Sequence, residues 1–172
     1  MWGWLLGRTD GAILRVLGVR EGERVLEFGC GRGRLAGSLQ RAIGANGSVT
    51  AIDAAPEMIE RAKRNAGASP ISFAVARAER LPYPDAGCDA VLSRLVMHEL
   101  GPDLPMALDE IVRVLTPRGR ALLIDLPGAA LDDAAAELTR RGFSCRRGTV
   151  GYPFFRYVSF GNERHDRIAD GG

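Results

Sequence analysis

The sequence predicts a single α/β domain built on a doubly wound, mostly parallel sheet. Three observations carry this expectation. Short apolar strands alternate with amphipathic helices along the chain, a glycine-rich loop follows the first strand at once, and no linker, repeat or low-complexity tract breaks the pattern. Near-continuous apolar strands imply a sheet covered on both faces. Such sheets take ligands beyond the carboxyl ends of their strands, where the winding direction reverses.

The elements follow in order. Asp10 is expected to cap a first helix with Ile13, Leu14 and Leu17 at helical spacing, ending near Gly18. ERVLEF (23–28) is a compact strand. A helix then carries Leu35, Leu39, Ala42 and Ile43 on one face and stops at Gly44. SVTAID (48–53) is the second strand, and Pro56 suits the first turn of a helix through Met58, Ile59, Ala62 and Ala66, closed by Gly67. ISFAVA (71–76) and CDAVLS (88–93) are the third and fourth strands, joined by the proline-rich ERLPYPDAG. Leu108, Ile111, Val112 and Leu115 mark a helix ended by the turn Thr116-Pro117-Arg118-Gly119. RALLIDL (120–126) is the fifth strand. A helix over about 131–141 ends at Gly142, and FSCRRG (143–148) and FRYVSF (155–160) complete seven strands. The organisation expected is an N-terminal arm and helix (1–22), a core sheet (23–160) and a polar tail (161–172) of a composition that favours disorder.

Length and composition narrow the classes. A chain of 172 residues buries a real core without staples, since domains near this size hide about 70% of their unfolded surface. Contents of 46% hydrophobic and 26% charged residues are those of an ordinary globular protein. No apolar run approaches the roughly 18 residues of a membrane span, and the N-terminus lacks the features of a secretory signal, so a cytoplasmic location is expected. Cys30, Cys88 and Cys145 show neither metal spacing nor a redox pair and read as reduced, mostly buried residues. A net charge of +2 argues for no nucleic-acid partner. The densest basic group, Arg140, Arg141, Arg146 and Arg147, reads as a solvated helix end and strand face.

The strongest local signal is VLEFGCGRGRL (25–35). Gly29, Gly31 and Gly33 let the backbone turn sharply and approach a ligand with no Cβ in the way. Asp53 closes the second strand 20 residues beyond Gly33, where a carboxylate can accept both hydroxyls of a ribose. Nicotinamide and flavin sites use similar loops. Here, though, the spacing is G-x-G-x-G, with Arg34 in place of the third glycine of the dinucleotide fingerprint. Glu27 also suits a cationic ligand better than a pyrophosphate.

VLEFGCGRGRL resembles the first motif of the class I S-adenosylmethionine (SAM)-dependent methyltransferases, especially the branch of ubiquinone and menaquinone biosynthesis. VTAIDAAPEMIERAK (49–63) resembles the second motif of that family. ARAERLPYPDAGCDAVLSRLVMHEL (76–100) and EIVRVLTPRGRALLIDLP (110–127) resemble the stretches that follow, so that the likeness covers most of residues 23–127 in order. It implies a Rossmann-like, seven-stranded, mostly parallel sheet with one antiparallel strand near the edge, SAM as cofactor and a small-molecule acceptor (quinone-like, lipid-like or a secondary metabolite). It also implies roles. Gly29, Gly31 and Gly33 would surround the methionine part of SAM, and Glu27 would place its amino group. Asp53 would hold the ribose hydroxyls, Ala54 and Met58 would lie near the adenosine, and the backbone of Ala78 and Glu79 would edge the adenine. Ser93 would face the methyl group or its acceptor. Family members commonly carry an acid at the position of Arg77, which has no acceptor for the adenine amino group.

Methyl transfer from a sulfonium needs alignment and dryness more than acid–base chemistry. A base helps only an acceptor that arrives protonated, and His98 is the candidate, set against a role in packing the turn after the fourth strand. Tyr83, Tyr152 and Tyr157 read as packing or rim residues. Cys30 reads as a small side chain in the loop, and His165 lies in the tail. The absence of an N-P-P-[FY]-type motif, SRLV standing there instead, speaks against nucleobase and protein-glutamine acceptors. Only Pro127 to Ala130 separate the fifth strand from the next helix, which leaves no room for a lid there. The site is then open, closed by a partner subunit in a homo-oligomer, or covered by the arm, whose Trp2, Trp4, Leu5 and Leu6 form an apolar cluster. Two other readings are a degenerate member that binds SAM without catalysis or serves as a partner subunit, motivated by Arg77, and a nicotinamide-dependent oxidoreductase.

Overall fold

A computed structural model describes residues 2–81, 83–151 and 155–162, with side chains from Thr9 onward. Seven strands form one sheet: β1 (Arg24–Phe28), β2 (Ser48–Asp53), β3 (Ser72–Val75), β4 (Cys88–Arg94), β5 (Leu115–Asp125), β6 (Cys145–Val150) and β7 (Phe155–Gly161), in the order β3-β2-β1-β4-β5-β7-β6. β1 to β5 pair in parallel, and β7 lies antiparallel between β5 and β6. This is the expected sheet, with the reversed strand one place in from the edge. The tail from 163, with His165, and Tyr152 lie outside the described residues, as do the side chains of Trp2, Trp4, Leu5 and Leu6.

Two apolar layers enclose the sheet because its strands alternate. Leu26 and Phe28 of β1 face one side with Val91 and Leu123, while Val25 faces the other with Ala90, Leu92 and Leu122. The first side is covered by α4 (Met97–Leu100), α5 (Leu104–Val114) and α6 (Ala129–Arg140), whose Leu108, Ile111, Ala134 and Leu138 recur at helical spacing. The second side is covered by α1 (Trp2–Leu17), α2 (Arg34–Ile43) and α3 (Pro56–Ala66), through Ile13, Leu35, Leu39, Ile43 and Ile59. Pro56 opens α3, and Gly44 and Gly67 end α2 and α3 with φ of +72° and +57°.

Two local expectations are corrected. α1 begins at Trp2, so Asp10 lies inside the helix and caps nothing. It is buried, and its Oδ2 accepts from Arg34 Nη1 at 2.5 Å and Ser38 Oγ at 3.0 Å on α2. The segment Thr116–Gly119 is a bulge within β5 rather than a turn before it. Cys88 pairs with Leu115 and Ala90 with Arg120, so four residues are pushed out of the ladder. Asn162 closes the bulge, its Nδ2 donating to Leu115 O at 3.0 Å and Thr116 O at 3.1 Å.

The basic group at the end of α6 is largely neutralised by its neighbours. Arg140 and Arg141 pair with Glu137, Arg141 also with Asp109, and Arg147 with Asp132. The cysteines are free, Cys30 and Cys88 buried and Cys145 half-buried. Among the described residues no helix is long and apolar enough to cross a membrane.

Candidate functional site

The chain winds outward from β1 through β2 to β3, then crosses back to β4 on the other side of β1. The loops leaving β1 and β4 therefore diverge, and the crevice between them is the topological switch point. A cleft of about 1350 Å³ opens there, lined by the glycine loop, the tip of β2, the residues 76–79 and the tip of β4. Ligand sites span roughly 300–1,000 Å³, so it has room for a nucleoside-sized ligand and a second molecule.

The loop is built by backbone hydrogen bonds. Gly29 N and Cys30 N both donate to Ile52 O at 2.9 Å, and Gly33 N donates to Cys30 O at 3.0 Å. Gly29, Gly31 and Gly33 have φ of +76°, +54° and +73°, a region costly for any residue with a Cβ. Their surroundings differ. A Cβ on Gly29 would overlap Val96 Cγ2, and one on Gly33 would lie 2.9 Å from Ala62 Cβ, whereas one on Gly31 would meet open space. Gly29 and Gly33 thus serve packing as much as the turn, and Gly31 bares the backbone to the cleft. Asp53 ties the loop to β2, its Oδ2 accepting from Gly31 N at 2.8 Å and its Oδ1 from Ala55 N at 3.0 Å.

Glu27 is a buried, incompletely satisfied group of the site. It sits on β1, 3% exposed, lines the cleft, and its Oε2 has no hydrogen-bond partner among the described residues. Burial pushes its carboxyl up to about 8, with Asp10 adding to the effect and Arg94 and Arg34 opposing it. Such a carboxylate lacks a donor or a cation, and an ammonium group supplies both.

The other expected residues divide between the cleft and its surroundings. Ala54, Met58, Ala78 and Glu79 line it with Glu27, the three glycines and Asp53. Arg77 lines it too but turns outward, its side chain 71% exposed and its Nη2 2.7 Å from Glu79 Oε1. Ser93 lies elsewhere. It points to the α4–α6 side of β4, is fully buried, and is absent from the lining, although its cross-strand partner Phe28 belongs to it. His98 also stands apart from the lining, although its neighbours Val96 and Glu99 belong to it. Its backbone N reaches Asp125 Oδ2 at 3.0 Å and its Nδ1 lies 2.8 Å from Asp125 Oδ1.

Arg94 was not singled out from the sequence, yet it lines the cleft at the tip of β4. Strand alternation is the signal that finds it, since Arg94 shares the face of Ala90 and Leu92 while Ser93 points away. Asp10, Arg34 and Ser38 form a second polar group in the lining. Among the described residues no cluster of His, Cys, Asp and Glu has the makings of a metal site.

Comparison with known proteins bears on the family and the fold. A family model described as a methyltransferase domain matches residues 26–123. The 2-phytyl-1,4-naphtoquinone methyltransferase of Synechococcus elongatus is 33% identical over 111 residues, 62% of this chain and 47% of that protein. The 27-O-demethylrifamycin SV methyltransferase of Amycolatopsis mediterranei is 35% identical over 140 residues, 77% of this chain and 50% of that protein. The chain thus spans about half the length of these two relatives. A crystal structure of a SAM-dependent methyltransferase from Aquifex aeolicus superimposes with a TM-score of 0.79 at 25% identity, covering 88% of each chain.

Proposed function

Because the chain belongs to the methyltransferase domain family, we propose that its cleft binds SAM and that the protein transfers the methyl group to a small-molecule acceptor by direct displacement. The observation that carries this reading is the buried Glu27 carboxylate, facing the cleft beside a glycine loop with one oxygen lacking a donor.

When bound, SAM supplies a methyl carbon made electrophilic by the sulfonium to which it is attached. The chain's own residues do the rest. Glu27 takes the ammonium of the aminoacyl tail, and Gly31 presents bare backbone beside it. Asp53 keeps lone pairs for ribose hydroxyls while its two oxygens fix the loop. Ala54 and Met58 lie against the adenosine, and the Ala78–Glu79 backbone edges the base. Arg77, paired with Glu79 and turned to solvent, leaves the base its place. The enzyme's contribution is orientation and exclusion of water, which can supply about 7–11 kcal/mol of a barrier. An acceptor with a free lone pair or a carbanionic carbon requires no base from the protein.

Relatives named for a phytylnaphthoquinone and a rifamycin support an extended apolar or aromatic acceptor, as does the size of the cleft. His98, bound through Nδ1 to Asp125, is a tether between α4 and β5 in this reading. Calorimetry with SAM and S-adenosylhomocysteine tests the assignment. Micromolar binding of both is expected, followed by label transfer from methyl-labelled SAM to a panel of naphthoquinols and polyketide phenols. No heat at millimolar ligand would remove the assignment.

A further inference from the structure

Arg94 ends β4, in register with Ile124 of β5, on the sheet face that carries Glu27. It is half-buried and lines the cleft, yet its five N–H donors make no hydrogen bond or ion pair with any described residue. Burial lowers its pKa, as does the neighbouring Arg34, while Asp10 and Glu27 act in the opposite sense. Neither acid pairs with it. Asp10 is held by Arg34 and Ser38, and no contact within ion-pair distance joins Arg94 to Glu27.

Glu27 pairs across the strands with Leu92, two residues before Arg94. Strand geometry then separates the two charged residues by roughly 7 Å along the sheet and 5 Å across it. One cleft therefore presents a carboxylate short of a donor and, a pleat away, a guanidinium short of an acceptor. Two opposite charges so arranged suit a ligand bearing an ammonium and an acid rather than each other.

We propose that Arg94 is an oxyanion-holding residue of the cleft, binding a carboxylate with its planar fork. The acid comes from the aminoacyl tail whose ammonium Glu27 takes, or from the acceptor. The inference rests on the SAM reading for the first source and not for the second.

Calorimetry with S-adenosylhomocysteine and its analogue lacking only the carboxylate tests the first source. The unmodified protein is expected to favour the complete ligand by roughly tenfold to a hundredfold, the worth of a charge-assisted hydrogen bond. Arg94→Met should abolish that preference without weakening the analogue, and Arg94→Lys, which keeps charge but loses the fork, should restore part of it. Thermal unfolding without ligand should not be lowered in Arg94→Met, because the guanidinium has no hydrogen-bond partner to lose and burial disfavours its charge. Benzoate titrated against protein saturated with S-adenosylhomocysteine tests the second source, with stabilisation that disappears in Arg94→Met. Loss in either arm supports the proposal and names the source, and loss in neither overturns it. If S-adenosylhomocysteine gives no heat with the unmodified protein, the SAM reading fails, and benzoate added alone still decides the role of Arg94.

Discussion

The carboxylate of Asp53, at the tip of β2, accepts the backbone N–H of Gly31 at 2.8 Å and so holds the β1 loop against the neighbouring strand. One side chain shapes the loop and, in the function proposed, offers lone pairs to a ribose. Asp53→Asn keeps one oxygen but replaces the other with a donor, which opposes Gly31 N or Ala55 N. A loss of about 1–3 kcal/mol of stability is expected in denaturant titration. Calorimetry should show S-adenosylhomocysteine binding weakened at least about tenfold, since the ribose also loses a charged acceptor.

Glu27 makes both stability and binding depend on pH, with opposite signs. Its carboxyl is raised from 4.5 to about 8, so between these values the folded protein keeps a proton that the unfolded chain has released. Its contribution to stability is therefore fully present below 4.5 and declines as pH rises toward 8. An ammonium ligand favours the ionised carboxylate, so affinity for S-adenosylhomocysteine should climb between pH 6 and pH 8, by at most about tenfold per unit, and then level off. Glu27→Gln should flatten both profiles. Calorimetry in buffers of different ionisation enthalpy should detect a proton released on binding below pH 8, and a proton count of zero would contradict this assignment.

The parts of the fold that depend on hydrophobic period were legible in the sequence, because the apolar residues of β1, β2 and β4 mark these strands as buried. The bulge at Thr116–Gly119 was not. It requires Asn162, far along the chain, to satisfy the carbonyls of Leu115 and Thr116. Asp10 misled for a related reason. Its type favours a helix N-terminus, but Arg34 and Ser38 on another helix pay for its burial. At the site, motif position pointed to Ser93, whereas the pleat brings Arg94 into the lining of the cleft. Glu27 lies on the Val25 face of β1, and Leu92 and Arg94 share that face on β4, whereas Ser93 falls on the other.

The glycines of the loop are predicted to differ on substitution, although they look equivalent in the motif. Gly29→Ala drives a methyl into Val96 at a positive φ, and a loss of about 3 kcal/mol or more is expected, with poor recovery of folded protein. Gly31→Ala meets only the backbone penalty of about 1 kcal/mol, so the fold should survive. Its new methyl projects into the cleft, where it should weaken S-adenosylhomocysteine by tenfold or more. Thermal melts and calorimetry on the two variants separate the roles. Equal stability losses would show that Gly29 is not packed as described.

His98 gives the sharpest separation between a structural and a catalytic part. Asp125 is 1% exposed and accepts from His98 N, His98 Nδ1 and Leu126 N. Removing the ring in His98→Ala leaves the two backbone donors, so a cost of about 1–2 kcal/mol is expected. Asp125→Asn should cost more, because all three donors lose a charged acceptor. The imidazole lies outside the cleft lining, so His98→Ala should leave the affinity for S-adenosylhomocysteine and the single-turnover rate of methyl transfer within about threefold of the parent. General-base catalysis contributes roughly 10²–10⁴-fold. A fall of that size in the single-turnover rate, with folding stability preserved, would place the imidazole among the reacting groups and require the α4 segment to swing toward the cleft when the acceptor binds.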